Sequence, residues 1–489
     1  MKPSPALPST PRGSGSTRRE FLAAAAVAAP AARRPNILFL MPDQLRAQAL
    51  GCEGNEDVQT PNIDRLASQG VRLRRTFANT PVCCPARAVL LTGQYAHRNG
   101  MVANDLRLRE NSVSLARILR GAGYRTGFVG KWHLDGGPRM PGFVPPGERR
   151  QGFEYWAANE CNHSHFNNTY FRDTPEPLRL GKFEAEGWAD LGVEFLRAAR
   201  TDTRPFYLTI QWGPPHDPYK APPEYSRLYD PLKLKMRPNW RPAPGAPGPP
   251  QIAEYYGMVT ALDDQMGRLM RTLDDLGLAE NTIVLFSSDH GDMLGSQGLR
   301  LKRKPWEESI RVPGVLRWPG KVKAGAVSDL IFTHADFAPT LLGMSGLAPH
   351  RDMQGADLSR QIAGGSARGP DSAFFQIFGP FQGDGTENAW RGLRTPTHMY
   401  ARFAAKPWVL YDLEKDPFEQ RNLAGERSAA SLEKEMDTRL REWMKRTGDD
   451  WRFDWTAPLE DGGRLYRNGT FYTVEEYLRW ARDHPEAGK

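Results

Sequence analysis

Cysteine is scarce in this chain. Its 489 residues hold 4, at Cys52, Cys83, Cys84 and Cys161. So few in so long a chain exclude a disulfide-built scaffold. The adjacent pair Cys83 and Cys84 does not have the spacing of a zinc site. An oxidising compartment would permit one disulfide, Cys52 to Cys161, although sequence does not pair them. Long apolar runs are missing beyond the N-terminus, so no later segment is long enough to cross a bilayer as a helix. No basic run carries interleaved aromatics, which argues against nucleic acid as a partner. There is no internal repeat. What remains is 39% hydrophobic and 25% charged, the composition of a globular protein with room for one large domain and a smaller one. The formal charge is +8. Part of it lies at the start, where Lys2, Arg12, Arg18 and Arg19 face only Glu20. The rest suits an anionic substrate.

The first 32 residues read as an export signal. Ser16-Thr17-Arg18-Arg19-Glu20-Phe21-Leu22 resembles the twin-arginine box. An alanine-rich apolar stretch, Phe21 to Ala32, follows directly, and Ala29-Pro30-Ala31 offers a small-residue cleavage site. The expectation is a twin-arginine signal peptide, the twin-arginine export machinery as a partner, and a periplasmic or extracellular location. The bland alternative is a disordered basic arm.

Residues 36–41 are a continuous apolar run ending at Pro42-Asp43-Gln44, as expected of a fully buried strand. Similar runs recur at 126–129, 206–210 and 282–286. Helical periodicity lies between them, at 62–69, 114–122 and 255–276. Strands alternating with helices predict an α/β fold with a large, mostly parallel sheet. Residues 240–251 read as a Pro/Gly/Ala loop. From about residue 370 the pattern changes to antiparallel strands at 374–378, 392–402 and 408–413 and one amphipathic helix at 428–445. The expected organisation is therefore a catalytic domain over 35–370 and a smaller α+β subdomain with tail over 371–489.

Ligands of parallel sheets bind beyond the carboxyl ends of the strands. Here those ends carry Asp43 and Gln44, then Lys131, Trp132 and His133, then His216 and Asp217, then Asp289, His290 and Asp292. A lone histidine is more often structural. Six of the chain's 10 histidines, His97, His133, His163, His165, His216 and His290, fall in or near these segments, which favours a site.

The run Pro81-Val82-Cys83-Cys84-Pro85-Ala86-Arg87 contains Cys-x-Pro-x-Arg. Alone it also fits a helix start with Pro85 in the first turn and two buried thiols. Four further blocks accompany it in order: Gly130-Lys131-Trp132-His133, Ser288-Asp289-His290-Gly291-Asp292, Trp306 to Pro313, and Leu410 to Pro417. Together they resemble the type I, formylglycine-dependent sulfatases of the alkaline phosphatase superfamily, over nearly everything from Pro35 to Leu423.

That resemblance implies a set of roles. Cys83 would be oxidised by a formylglycine-generating maturation enzyme, and the hydrated aldehyde would be the nucleophile. Asp43, Gln44, Asp289 and His290, with an oxygen from modified Cys83, would hold one divalent metal. Ca2+ is the first expectation, with Mg2+ or Mn2+ open, because His290 and Gln44 stand where Asn and Asp are commoner. Lys131 and Lys302 would balance charge on the sulfuryl oxygens. His216 with Lys302 would protonate the leaving alcohol, His133 would take a proton from the second hydroxyl, and Arg87 would hold the Cys83 segment. Lys304 rivals Lys302. Cys84 and Ala86 also depart from the commoner residues of the maturation frame.

For substrate binding, the polar loop around Glu160, Asn162, His163 and His165 and the strand residue Arg391 are candidates; each has an ordinary structural reading beside it. The expected activity is hydrolysis of a sulfate ester, of a sulfated small molecule or glycan and above all a carbohydrate. One alternative is a phosphonate monoester or phosphodiester hydrolase using the same nucleophile, which Gln44 and His290 favour. The other is an inactive relative that binds glycans. The tail from residue 450 lies outside the resemblance.

Overall fold

The computed structural model describes residues 34–136, 142–365, 368–379 and 389–451, together with 464–466, 469–471, 473, 475–476 and 479–480. The expected signal peptide and most of the tail fall outside these residues. Residues 34–489 form one compact unit.

The eight strands of the large sheet are β1 (Asn36–Pro42), β2 (Val71–Phe77), β3 (Arg125–Lys131), β4 (Tyr155–Asn159), β5 (Phe206–Trp212), β6 (Thr282–Phe286), β7 (Val315–Arg317) and β8 (Ala326–Thr333). Their order is β8-β2-β7-β6-β1-β5-β3-β4. All neighbours run parallel except short β7, which is antiparallel to both β2 and β6. The α/β fold class with a mostly parallel sheet is thus observed.

Strand β1 shows why. Its seven residues are all buried, and it pairs with β5 on one side and β6 on the other. Alternate side chains point to opposite faces. Ile37, Phe39 and Met41 enter a core beneath α2 (Cys83–Thr92), α3 (Leu115–Gly121) and α6 (His334–Met344). Leu38 and Leu40 enter the core beneath α1 (Pro61–Gln69), α4 (Glu184–Ala199) and α5 (Pro249–Asp275). A strand covered on both faces needs no polar alternation, so its sequence is a solid apolar run. Fully burying one such aliphatic side chain is worth about 1.5–3 kcal/mol.

A second, antiparallel sheet runs β9 (Ala373–Ile377), β10 (Trp390–Arg394), β11 (His398–Phe403) and β12 (Pro407–Asp412) in sequential order. One face packs on Phe77, Met293, Trp306 and Ile310 of the large-sheet region. The other receives Met436, Leu440 and Met444 of α7 (Ala430–Thr447).

Some expectations need correction. The single strand expected over 392–402 is a hairpin, because Thr395 and Thr397 make the turn between β10 and β11. The loop expected over 240–251 gives way to α5 at Pro249, a residue suited to a first helical turn. No Cys52–Cys161 disulfide forms: none of the four cysteines is in a disulfide, and Cys52 lies beside Asp64 and Cys161 beside His163.

Candidate active site

Helix α2 begins at Cys83, two residues before Pro85. Pro85 lies in the first turn, where its missing N–H costs no intrahelical bond. Arg87 follows Cys83 by four residues, so both lie on one helix face. That face is turned to the carboxyl rim of the sheet. There Arg87 donates to Asp43 Oδ2 at 3.0 Å and Asp289 Oδ2 at 2.9 Å. Its other nitrogen donates to the Lys131 carbonyl at 2.8 Å and to Gln211 Oε1 at 2.6 Å. One guanidinium therefore ties α2 to the ends of β1, β3, β5 and β6. Close approach of β3 and β5 depends on Gly130, whose φ is +108°; a Cβ there would lie 2.0 Å from the Gln211 carbonyl oxygen.

Ligand atoms of Asp43, Cys83, Asp289 and His290 all lie within 4.8 Å of one another, and all four residues are buried. His290 Nε2 is 3.3 Å from Cys83 Sγ, 3.6 Å from Asp43 Oδ1 and 3.7 Å from Asp289 Oδ1. Its Nδ1 is 3.0 Å from the Gly291 carbonyl and must donate there, since that oxygen only accepts. In the neutral ring this leaves the Nε2 lone pair aimed at two carboxylate oxygens and a sulfur, a donor set that fits a divalent cation. The electrostatics agree. Burial pushes the Asp289 carboxyl up, and the charge on Asp43 adds to the rise. Asp43 is pulled down: burial and Cys83 oppose its charge, but Lys131, His216 and Arg87 outweigh them. Burial would lower His290, but neighbouring Asp289 turns the net shift upward. Asp289 is thus the carboxylate of the pair whose charge burial leaves least compensated.

Gln44 does not join this group. Its backbone N–H donates to Asp289 Oδ1 at 3.0 Å, but its side chain turns aside. Its Nε2 donates to Asp292 Oδ2 at 2.6 Å and Asp217 Oδ1 at 3.3 Å. Its Oε1 accepts from Lys302 Nζ at 2.5 Å. Gln44, expected among the ligands, here holds Lys302 from a position beside the ligand group. That lysine also meets His216 Nε2 at 2.8 Å, while His216 Nδ1 is 2.7 Å from the Asp217 carbonyl. Lys302, not Lys304, is the lysine against His216.

On the other side of Cys83, Lys131 Nζ donates to Asp43 Oδ2 at 2.6 Å. His133 Nε2 lies 2.8 Å from Asp105 Oδ1. Burial opposes a charge on His133, yet Cys161, Cys84 and the Asp105 contact hold it well above the ordinary imidazole value. Burial pushes the Cys84 thiol up to about 11. Asp105 also donates its backbone N–H to Cys84 Sγ at 3.1 Å, and Asn104 Oδ1 accepts from the Cys84 N–H at 3.0 Å. Gln44, Asp105 and His133 all occupy the left-handed backbone region, at φ of 67°, 62° and 55°. Such strain in non-glycine residues gathers at functional sites. Sequence reading missed Asp105, which sits in no recognisable motif.

The substrate-binding candidates divide. His163 stacks on His216 with ring centroids 4.1 Å apart and lies 3.5 Å from Lys131 Nζ, so it belongs to the site's edge. His165 sits one layer back, 2.5 Å from Glu184 Oε1 and 2.8 Å from the His216 carbonyl, where it props the His216 loop. Asn162 is turned to Asn168 at 2.8 Å. Glu160 is buried behind His133 and accepts the Asp135 N–H at 2.7 Å. Arg391 is wholly buried and paired with Asp449 between the rings of Phe378 and Trp451, so it is a structural ion rather than a ligand contact.

The family profile described as "Sulfatase" matches residues 35–347. A second, "N-sulphoglucosamine sulphohydrolase, C-terminal", matches 295–446. An ulvan-active sulfatase of Formosa agariphila is 37% identical over 425 residues, covering 86% of this chain and 83% of that protein. An N-acetylglucosamine-6-O-sulfatase of Bacteroides thetaiotaomicron is 28% identical, covering 86% and 88%. Among solved structures, the putative sulfatase yidJ of Bacteroides fragilis superposes with a TM-score of 0.79 at 30% identity, over 86% of this chain and 97% of that one. A phosphonate monoester hydrolase of Agrobacterium radiobacter shares the fold, with a TM-score of 0.71 at 24% identity over 90% and 99%.

Proposed function

Since the chain belongs to the sulfatase family, a family of sulfuric ester hydrolases, we propose that it removes sulfate from a sulfated carbohydrate and that residue 83 works as formylglycine. The carrying observation is the convergence on Cys83 of a buried four-residue ligand group on one side and the Lys302–His216 pair on the other. The carbohydrate assignment is supported by two of the relatives, the ulvan-active sulfatase and the N-acetylglucosamine-6-O-sulfatase.

As formylglycine, residue 83 supplies a hydrated-aldehyde nucleophile. Asp43, Asp289, His290 and residue 83 would hold one divalent cation, which supplies charge neutralisation at the sulfuryl oxygens. Ca2+ is the family-level expectation; the imidazole in the donor set favours Mn2+ more than an all-oxygen site would.

The remaining tasks fall to side chains already in position. Lys131, fixed by Asp43, presents its ammonium beside the sulfuryl group. Lys302 and His216 share a hydrogen bond, and this pair delivers the proton to the departing alcohol oxygen. His133, oriented by Asp105, takes the proton of the second hydroxyl, so that sulfate leaves without attack by an external water. Arg87 keeps residue 83 against both carboxylates. The whole cluster is buried, which strengthens each of these charge interactions relative to water.

The test is turnover by metal-loaded protein on matched aryl sulfate and aryl phosphonate esters and on sulfated oligosaccharides, with Cys83→Ala alongside and the mass of the residue-83 peptide recorded. Sulfate turnover lost in Cys83→Ala, with a peptide lighter than the thiol form, supports the proposal. Phosphonate preference would move the assignment to the alternative that His290 favours. A full-mass cysteine peptide in an active enzyme would refute the nucleophile.

A further inference from the structure

Arg46 lies three residues beyond Asp43, on the far side of the Asp289–Gly291 turn; its Cβ would be 3.2 Å from a side chain at Gly291. It is 2% exposed, and no carboxylate pairs with it among the described residues. Its one side-chain hydrogen bond is a long one, to the Met293 carbonyl at 3.4 Å, and its Nε–H has no acceptor. A buried guanidinium without a counter-ion is costly and calls for an anion.

Arg46 lines a small recess together with Lys235, Arg237, Trp240, Tyr256 and Ser296. The hydroxyl of Ser296 is buried there without a partner. Lys235 pairs with Glu56 at 2.5 Å, and Arg237 with Glu308 at 3.0 Å. Three cations therefore face two carboxylates, and the surplus charge is that of Arg46. Burial, with Arg46 and Arg311 close by, depresses the Arg237 guanidinium despite Glu308. Lys235 is exposed and Trp240 half-exposed, which places the mouth of the recess at these two residues.

We propose that this recess binds a tetrahedral oxyanion, a sulfate group, on the guanidinium of Arg46 and the hydroxyl of Ser296. The anion is either free sulfate or a second sulfate ester on a polysulfated glycan whose ring lies against Trp240. Binding there requires no turnover, so the proposal stands or falls apart from the catalytic assignment.

The experiment uses selenate as an anomalous probe in crystals of the whole chain and sulfate in calorimetric titrations of wild type, Ser296→Ala and Arg46→Lys. Ser296→Ala deletes a hydroxyl that bonds to nothing, so its melting temperature without sulfate is expected to match wild type. Selenate is expected in the recess of wild type, with sulfate affinity about tenfold weaker in both variants. A monosulfated and a disulfated form of one oligosaccharide then separate the sources. A KM rising about tenfold for the disulfated form alone in Ser296→Ala assigns a glycan subsite, and unchanged KM values with weakened sulfate binding assign free sulfate. Selenate found at residue 83 but not in the recess, or titrations of Ser296→Ala and wild type that coincide, would overturn the proposal.

Discussion

Gln44 Oε1 accepts a hydrogen bond from Lys302 Nζ at 2.5 Å, so the amide beside the ligand group positions a lysine. Gln44→Ala should then leave metal content unchanged while Lys302 loses one of its two holds. A fall of about tenfold to a hundredfold in kcat is expected, on the scale of a misplaced proton donor. Elemental analysis beside steady-state kinetics checks it; loss of the metal would return Gln44 to the ligand set.

Asp105 is predicted to act through His133. Asp105→Asn should lower kcat about a hundredfold with little change in KM. The carboxylate is one of the groups that raise the His133 pKa, so its removal lets the ring lose its proton at lower pH. The acid limb of the kcat profile should move to lower pH. An unmoved limb would mean that Asp105 merely supports the Cys84 loop.

His290 gives the ligand group its one nitrogen. His290→Asn should shift preference from Mn2+ toward Ca2+, because an amide oxygen replaces an imidazole. Competitive metal loading followed by mass spectrometry of the metals reads this directly. Equal ratios in both proteins would show that His290 is not a ligand.

Asp449→Ala leaves Arg391 buried with no carboxylate. Breaking such a pair costs about 3–5 kcal/mol. Denaturant unfolding should show the loss, whereas kcat/KM of the folded fraction should stay within about twofold, a difference of under 0.5 kcal/mol. A specific rise in KM with unaltered stability would restore Arg391 to the substrate site.

His334 sets a pH dependence of stability. It is fully buried, its Nε2 meets the Ser288 carbonyl at 3.0 Å, and burial lowers its pKa from 6.5 to about 3. The unfolded chain binds the proton first as pH falls. Its contribution is therefore full above pH 6.5 and is lost as pH drops from 6.5 toward 3, by at most about 1.4 kcal/mol per pH unit. His334→Gln, which keeps an N–H donor, should flatten that limb in melts recorded across this range; an unchanged slope would assign the acid limb to other groups.

Strand β1 was legible because a strand covered on both faces spells itself in uninterrupted apolar letters. Strand β2 was not: Val71-Arg72-Leu73-Arg74-Arg75 alternates with arginines because Arg74 reaches Asp329 on edge strand β8. Helix α6 hid behind an internal Pro339, tolerated by tertiary packing. Within the site, Cys83, Lys131, His133, His216, Lys302, Asp43, Asp289 and His290 could be read because each follows a strand or carries a motif. Asp105 could not, since its role depends on a left-handed turn and a neighbour 28 residues away. Gln44 was read as a ligand from the resemblance; its hold on Lys302, 258 residues away, could not be read.

The contact between Cys83 and His290 joins residues 207 apart in the chain. A ribosome adding about 5–20 residues per second needs about 10–40 seconds to cover that distance. Throughout that interval Cys83 has been made and its burial is incomplete, because His290 and Lys302 do not yet exist. The length of chain between Cys83 and His290 thus acts as a clock: it sets how long the thiol stays open on the nascent chain before the fold can close over it.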